Sequence, residues 1–190
     1  MKNKELILAT SWKVKQKDNE RCIQLYDEDG NEIDGDKARW EGDFNCYKNQ
    51  LTSLEGAPRE VNGYFYCYKN QLTSLKGAPR EVKRGFYCSD NKLTSLEGAP
   101  REVNDYFDCS NNKLTSLKGA PREVNGSFYC SDNELTSLEG APREVDGNFY
   151  CSNNKLTNSN IKLVGSLEEI ERKIQLEKIK ETVLFGVVNG

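Results

Sequence analysis

Cysteine, asparagine and leucine return in register every 21 residues: cysteine at Cys46, Cys67, Cys88, Cys109, Cys130 and Cys151, asparagine at Asn49, Asn70, Asn91, Asn112, Asn133 and Asn154, leucine at Leu51, Leu72, Leu93, Leu114, Leu135 and Leu156. A period of about 20 to 29 residues leaves essentially one kind of fold open, because so short a unit cannot bury its own apolar side and must stack on copies of itself. The expected architecture is a mainly β repeat solenoid forming one domain.

The unit reads Phe-x-Cys-x-x-Asn-x-Leu-Thr-Ser-Leu-x-Gly-Ala-Pro-Arg-Glu-Val and runs from Asp43 to about Thr157. Within it, Phe65 and Cys67 alternate as a short strand with its apolar side inward. Leu72, Leu75, Pro79 and Val82 then bring the chain back around the core. Asn70 lies where a buried amide bonds the backbone of its own turn and of the neighbouring coil. Gly77 permits a tight bend, and Pro79 holds an extended backbone that excludes helix.

This pattern resembles the leucine-rich repeat, in the short form found in secreted bacterial effectors and in many bacterial and phage proteins. The resemblance covers roughly residues 22 to 160. It implies an arc with a parallel sheet on its concave side, and a binding role for that side. The strand differs in using phenylalanine and cysteine where leucines are usual, and Gly-Ala-Pro replaces a leucine-proline segment. Some such effectors carry a ubiquitin-ligase domain after the repeats; the roughly 30 residues after Asn160 are too few for one.

Residues 1–42 read as an N-terminal cap that includes a degenerate first repeat. Trp12 and Val14 alternate with Ser11, Lys13 and Lys15 as a half-buried strand, expected to pair antiparallel with the next, and its lysines discourage edge-to-edge association. Sliding the frame back one unit puts Ile23 where Phe44 sits, Leu25 where Cys46 sits, Ile33 where Leu54 sits, Gly35 where Gly56 sits and Trp40 where Val61 sits. The Asp27-x-Asp29-Gly30-Asn31 stretch has the look of a calcium loop, but Glu32 and Ala38 stand where that loop needs glycine and glutamate, so an ordinary Asp-Gly turn is expected. The repeats themselves span 43–160. Residues 161–190 read as a C-terminal cap, with Ser166 and Glu169 forming a capping box and a helix over about 167–181. The apolar stretch from Val183 to Val188 needs burial, as a last strand or in a dimer; otherwise a monomer is expected.

Net charge is −3 and the isoelectric point about 5.3, which gives no general pull toward nucleic acid or anionic membrane. No apolar run approaches the roughly 18 residues of a membrane span, and Leu6-Ile7-Leu8-Ala9 is too short for a signal-peptide core, so a cytoplasmic location is expected. Six of the seven cysteines share one inward position, which reads as reduced, structural thiols. Histidine is absent, removing the usual general base and the commonest metal ligand. With no phosphate loop or nucleophile elbow either, the chain reads as noncatalytic, with no cofactor and no metal.

Because the units are near-identical, their differences carry information. The x after the second leucine alternates Glu55, Lys76, Glu97, Lys118, Glu139, which stacking would set side by side as a charge ladder; the repeated Arg59-Glu60 pair suggests a similar one. The remaining variation lies on and beside the strand. Tyr64 and Tyr106 precede the phenylalanine, Tyr66, Tyr87, Tyr129 and Tyr150 follow it, and Tyr26, Tyr47 and Tyr68 follow the cysteine position. Parallel stacking would gather them into a tyrosine-paved face, densest around Tyr47, Tyr64, Tyr66, Tyr68 and Tyr87. Bordering it, Lys48 and Lys69 give way to Asp90, Asn111, Asp132 and Asn153, and Asp108 interrupts the column after the phenylalanine. Tyrosine offers large, rigid contact area with a polar tip, so the expected function is to bind, mask or inhibit another protein through this face. Nucleic-acid or glycan binding on the same face, and a purely structural role, are the competing readings; two lysines make a thin groove for nucleic acid.

Overall fold

A computed structural model describes residues 6–156. The proposed C-terminal cap, its helix over about 167–181 and the apolar segment proposed for dimerisation all lie outside the described residues. Five strands form the N-terminal part: β1 (Ile7–Ala9), β2 (Ser11–Lys17), β3 (Glu20–Tyr26), β4 (Glu32–Ile33) and β5 (Ala38–Trp40), with one 3-10 turn at Gly35–Lys37 between the last two. Two-residue strands then alternate: β6 (Phe44–Asn45), β7 (Glu60–Val61), β8 (Phe65–Tyr66), β9 (Glu81–Val82), β10 (Phe86–Tyr87), β11 (Glu102–Val103), β12 (Phe107–Asp108), β13 (Glu123–Val124), β14 (Phe128–Tyr129), β15 (Glu144–Val145) and β16 (Phe149–Tyr150).

These strands build a mainly β solenoid with two parallel sheets. The six-stranded sheet runs β6-β8-β10-β12-β14-β16, with Phe44, Phe65, Phe86, Phe107, Phe128 and Phe149 in register. The seven-stranded sheet runs β1-β5-β7-β9-β11-β13-β15, with Trp40 and Val61 heading a column of valines. This second ladder is the return segment, expected only to be extended. Its valines face the core, and its backbone groups find partners in the coils before and after, as a buried segment requires.

Both sheets drain into one core of phenylalanine, cysteine, leucine and valine columns, nearly all below 5% exposed. Successive phenylalanine rings stack with centroids 5.1 to 5.5 Å apart, and Trp12 and Trp40 close the N-terminal end of the stack against Phe44. All seven cysteines are buried and free. Burial pushes the repeat thiols well above their ordinary range, to about 12 at Cys151, so they are packing groups rather than nucleophiles.

The corner after Leu75 is a turn closed by the Ala78 amide donating to the Leu75 carbonyl at 3.0 Å. Gly77 occupies its third position with φ +85, the type II arrangement that disfavours a side chain. Stacking adds a second reason, since a Cβ on Gly119 would stand 2.5 Å from the Glu97 nitrogen of the coil before. The residue before this glycine is the alternating acid or lysine, and it points to solvent. The charge ladder is partial: Lys118 pairs with Glu139 at 3.0 Å, Glu55 is taken by Lys17 of the hairpin, and Lys76 and Glu97 join no ion pair among the described residues. On the return strand Arg80 reaches Asp36 at 3.5 Å and Glu81 pairs with Lys83 at 2.9 Å, so these side chains are not engaged in the arginine-glutamate ladder the repeat suggested.

The N-terminal part corrects the expectation of a degenerate coil. β2 and β3 form the antiparallel hairpin that the alternation predicts, from Ser11 opposite Tyr26 to Lys17 opposite Glu20. β3, however, gives the far end of its other edge to β4 through Leu25 and Tyr26, and the Ile23 amide on that edge donates to the Glu55 carbonyl at 2.9 Å, so Ile23 and Leu25 lie in a separate three-stranded sheet rather than beneath Phe44 and Cys46. Only the second half of the frame matches: Trp40 pairs with Val61, and the Arg59 amide donates to the Gly35 carbonyl at 2.9 Å. The Asp27 stretch is an Asx turn. Its carboxylate accepts the Asn31 amide at 2.8 Å and the Asp29 amide at 3.1 Å, and the Asn31 bonds hold it below the usual carboxylate range.

Asparagine ties coil to coil. The Asn70 side-chain oxygen accepts the amides of Asn49 and Leu51 in the preceding coil, at 2.9 and 3.0 Å, while its nitrogen donates to the carbonyls of Cys46 (2.9 Å) and Cys67 (3.0 Å). Asn112 does the same for Leu93, Cys88 and Cys109, and Asn133 for Leu114, Cys109 and Cys130. Asn49 has no such coil before it; its side-chain nitrogen donates to the carbonyl of Tyr47, in its own turn. Asn112→Ala is expected to lower unfolding free energy by about 3 kcal/mol or more, because it orphans three buried backbone groups, whereas Asn49→Ala is expected to cost under about 1 kcal/mol. Urea unfolding followed by circular dichroism measures both, and equal losses would refute the ladder's role.

Candidate functional site

Since Phe and Cys point inward, the residue between them points outward, and parallel register lines these residues up one rung apart. Tyr66 and Tyr87 stack with centroids 5.1 Å apart, and Tyr129 and Tyr150 at 4.8 Å. Asp108 stands between the two pairs. Its carboxylate turns back to accept the Ser110 amide at 2.9 Å, as Asn45 does for the Tyr47 amide at 3.2 Å.

Beyond the cysteine, Tyr47 and Tyr68 stack at 4.9 Å, and Tyr68 meets Tyr66 edge-on at 6.3 Å. Tyr64 contacts Tyr66 at 5.7 Å and Tyr87 at 6.1 Å. Tyr47, Tyr68, Tyr66, Tyr87 and Tyr64 are thus one continuous ring cluster at the N-terminal end, while Tyr106, Tyr129 and Tyr150 form a second, Tyr106 meeting Tyr129 at 6.2 Å. Tyr26 stands apart on β3 with the Lys13 ammonium 5.4 Å above its ring, because β3 does not enter the six-stranded sheet.

Three residues that the sequence reading passed over organise the larger cluster. In the column that holds Tyr64 and Tyr106, the intervening coil has Gly85, whose added Cβ would sit 3.1 Å from the Tyr64 ring and 3.0 Å from the Tyr87 ring. Across this gap the Tyr64 hydroxyl donates to the Asp105 carboxylate two coils away, at 2.7 Å. Arg84 lies over the Tyr64 ring, 5.2 Å from its centroid. The available signal was that Lys83-Arg84-Gly85 stands where the units on either side have Asn62-Gly63-Tyr64 and Asn104-Asp105-Tyr106.

The bordering column has a backbone cause. Lys48, Lys69, Asp90, Asn111, Asp132 and Asn153 all have φ between 52 and 56, the left-handed region that asparagine and aspartate tolerate and lysine does not favour. In the later coils these side chains bond one another: Asn111 donates to Asp90, and Asn153 to Asp132 at 2.8 Å. Lys48 and Lys69 are exposed, with no ion pair or side-chain hydrogen bond among the described residues.

Elsewhere, a hollow of about 510 Å³ under the hairpin is lined by Lys15, Lys17, Glu32, Asp34 and Glu55, whose charges are already paired, Lys15 with Glu32 at 3.3 Å. Among the described residues no group of three His, Cys, Asp or Glu is gathered to hold a metal ion. Comparison with known proteins finds no family model, no curated protein and no solved structure that matches the chain.

The hydrogen bond to Asp105 raises Tyr64 above its ordinary pKa, and burial raises Tyr66 and Tyr87. A raised folded-state value favours the neutral ring, so this stabilisation is complete below about pH 10 and is lost as pH rises through the folded values. In Asp105→Asn the ionisation of Tyr64 is expected to move down toward the ordinary value, more than that of any other tyrosine. Carbon NMR of the tyrosine rings across an alkaline titration measures it, and an unmoved Tyr64 would refute the lock.

Proposed function

We propose that this chain is a noncatalytic recognition module of the short leucine-rich-repeat kind, which binds a protein partner through the tyrosine cluster of the six-stranded sheet. The inward leucines and asparagine that tie each turn to the next support the repeat assignment. The binding role rests on one observation: five tyrosines form a continuous, half-exposed cluster fixed by a hydrogen bond across two coils, with unpaired cations beside it. Rings held this way lose little freedom on binding and offer edges and hydroxyls to a partner. A purely structural array has no use for unpaired lysines in a left-handed backbone. Base or sugar stacking is disfavoured for the paired rings, because a third ring between them needs a gap of about 7 Å, whereas Tyr66–Tyr87 and Tyr47–Tyr68 are already closed at 5.1 and 4.9 Å.

The test is capture from a lysate of the producing cell by the full chain and by a variant with Tyr47, Tyr66, Tyr68 and Tyr87 changed to serine, both verified as folded by circular dichroism. A protein retained by the first and lost by the second is the expected result. Equal capture by both would remove the tyrosine face from consideration.

A further inference from the structure

Lys48 and Lys69 occupy adjacent rungs of one column; the Lys48 amide donates to the Tyr68 carbonyl at 3.2 Å and the Lys69 amide to the Ser89 carbonyl at 3.1 Å. Both carry a left-handed backbone, φ 56 and 54, at a site where the next four coils carry aspartate or asparagine. Two like charges one rung apart repel, and a long side chain at positive φ adds strain. Within the described residues nothing compensates either cost. The left-handed backbone belongs to this turn in all six coils, so what sets the first two apart is their unpaired positive charge, which suits a negatively charged ligand.

We infer that the N-terminal end of the tyrosine face docks an acidic, partly apolar polypeptide segment, its carboxylates against Lys48 and Lys69 and its apolar side chains against Tyr47 and Tyr68. The inference rests on the recognition reading above and adds the chemistry of the partner. Charge complementarity selects this occupant. A single-stranded nucleic acid continuing along the face would meet Asp90, Asp108 and Asp132, which repel a phosphate backbone, while a short acidic segment need go no further than Ser89. Arg84, exposed on the Tyr64 ring, lies beside the Asp105 carboxylate bonded to the same tyrosine, so the unpaired charge of the cluster is that of Lys48 and Lys69.

The experiment is an amide NMR titration of the full chain with a hexapeptide of alternating glutamate and leucine, at low salt, with the lysine-leucine hexapeptide and an oligothymidylate as comparison probes. The glutamate peptide is expected to give saturable shifts at Tyr47, Lys48, Tyr68 and Lys69. Its affinity is expected to fall about tenfold in Lys48→Asn/Lys69→Asn, and steeply between about 50 and about 300 mM salt. Asparagine already stands at this site in two later coils, so the variant keeps the turn. No saturable shift, undiminished affinity in the variant, or tighter binding of the lysine peptide or the oligothymidylate would overturn the inference. The lysate capture separates its failure from that of the underlying reading. A partner lost by the tyrosine variant but fully retained by the lysine variant removes the acidic segment alone; equal capture by the tyrosine variant removes both.

Discussion

An asparagine amide shared between two coils sets the geometry on which the other features depend. The turn after each cysteine dives toward the core to place the next leucine, which strands carbonyls and amides away from water. A carboxamide carries two donors and an acceptor on one short side chain, enough to serve Cys46, Cys67 and Leu51 at once from Asn70. Because Leu51 and Cys46 belong to the preceding coil, Asn70 and its counterparts in the later coils fix the stacking distance as well as their own turns. The phenylalanine stack, the close approach at Gly119 and the spacing of the tyrosine columns all inherit that distance.

Much of this was legible from the repeat, because a residue recurring at one position in every unit must answer a need that every coil shares. The inward Phe and Cys, the bridging asparagine and the turn glycine are of this kind. The second sheet was harder to foresee, since a two-residue Glu-Val strand has no alternation to read, and its pairing comes from stacking rather than local preference. The N-terminal frame misled for a related reason. Ile23 and Leu25 have the spacing of the repeat, but a strand continuous with the Lys17–Glu20 hairpin has one edge taken by β2 and the other divided between β4 and the Glu55 carbonyl.

At the candidate site, the tyrosine columns could be read from register alone, while the contacts that arrange them could not. Tyr64 bonds Asp105 only because Gly85 leaves room between them, a relation among three coils that no single unit displays. The left-handed backbone beneath Lys48 and Lys69 was hidden for another reason. Aspartate and asparagine in that column suggest a turn, but lysine does not, so the first two coils concealed what the last four advertise.

Identical coils also constrain how a face of this kind can acquire direction. Every position that the stacking needs is fixed, so asymmetry can enter only at outward sites, and there it accumulates along the solenoid axis. The first two repeat coils offer lysine and tyrosine, and the later ones offer Asp90, Asp108 and Asp132, with hydrogen-bonded asparagines between them. A charged group attracted at one end of the face is repelled at the other, so the order of charges gives the face a direction. A solenoid assembled from one repeated unit thereby acquires two unlike ends, partly through side chains that also bridge its coils, as Asn111 does to Asp90 and Asn153 to Asp132.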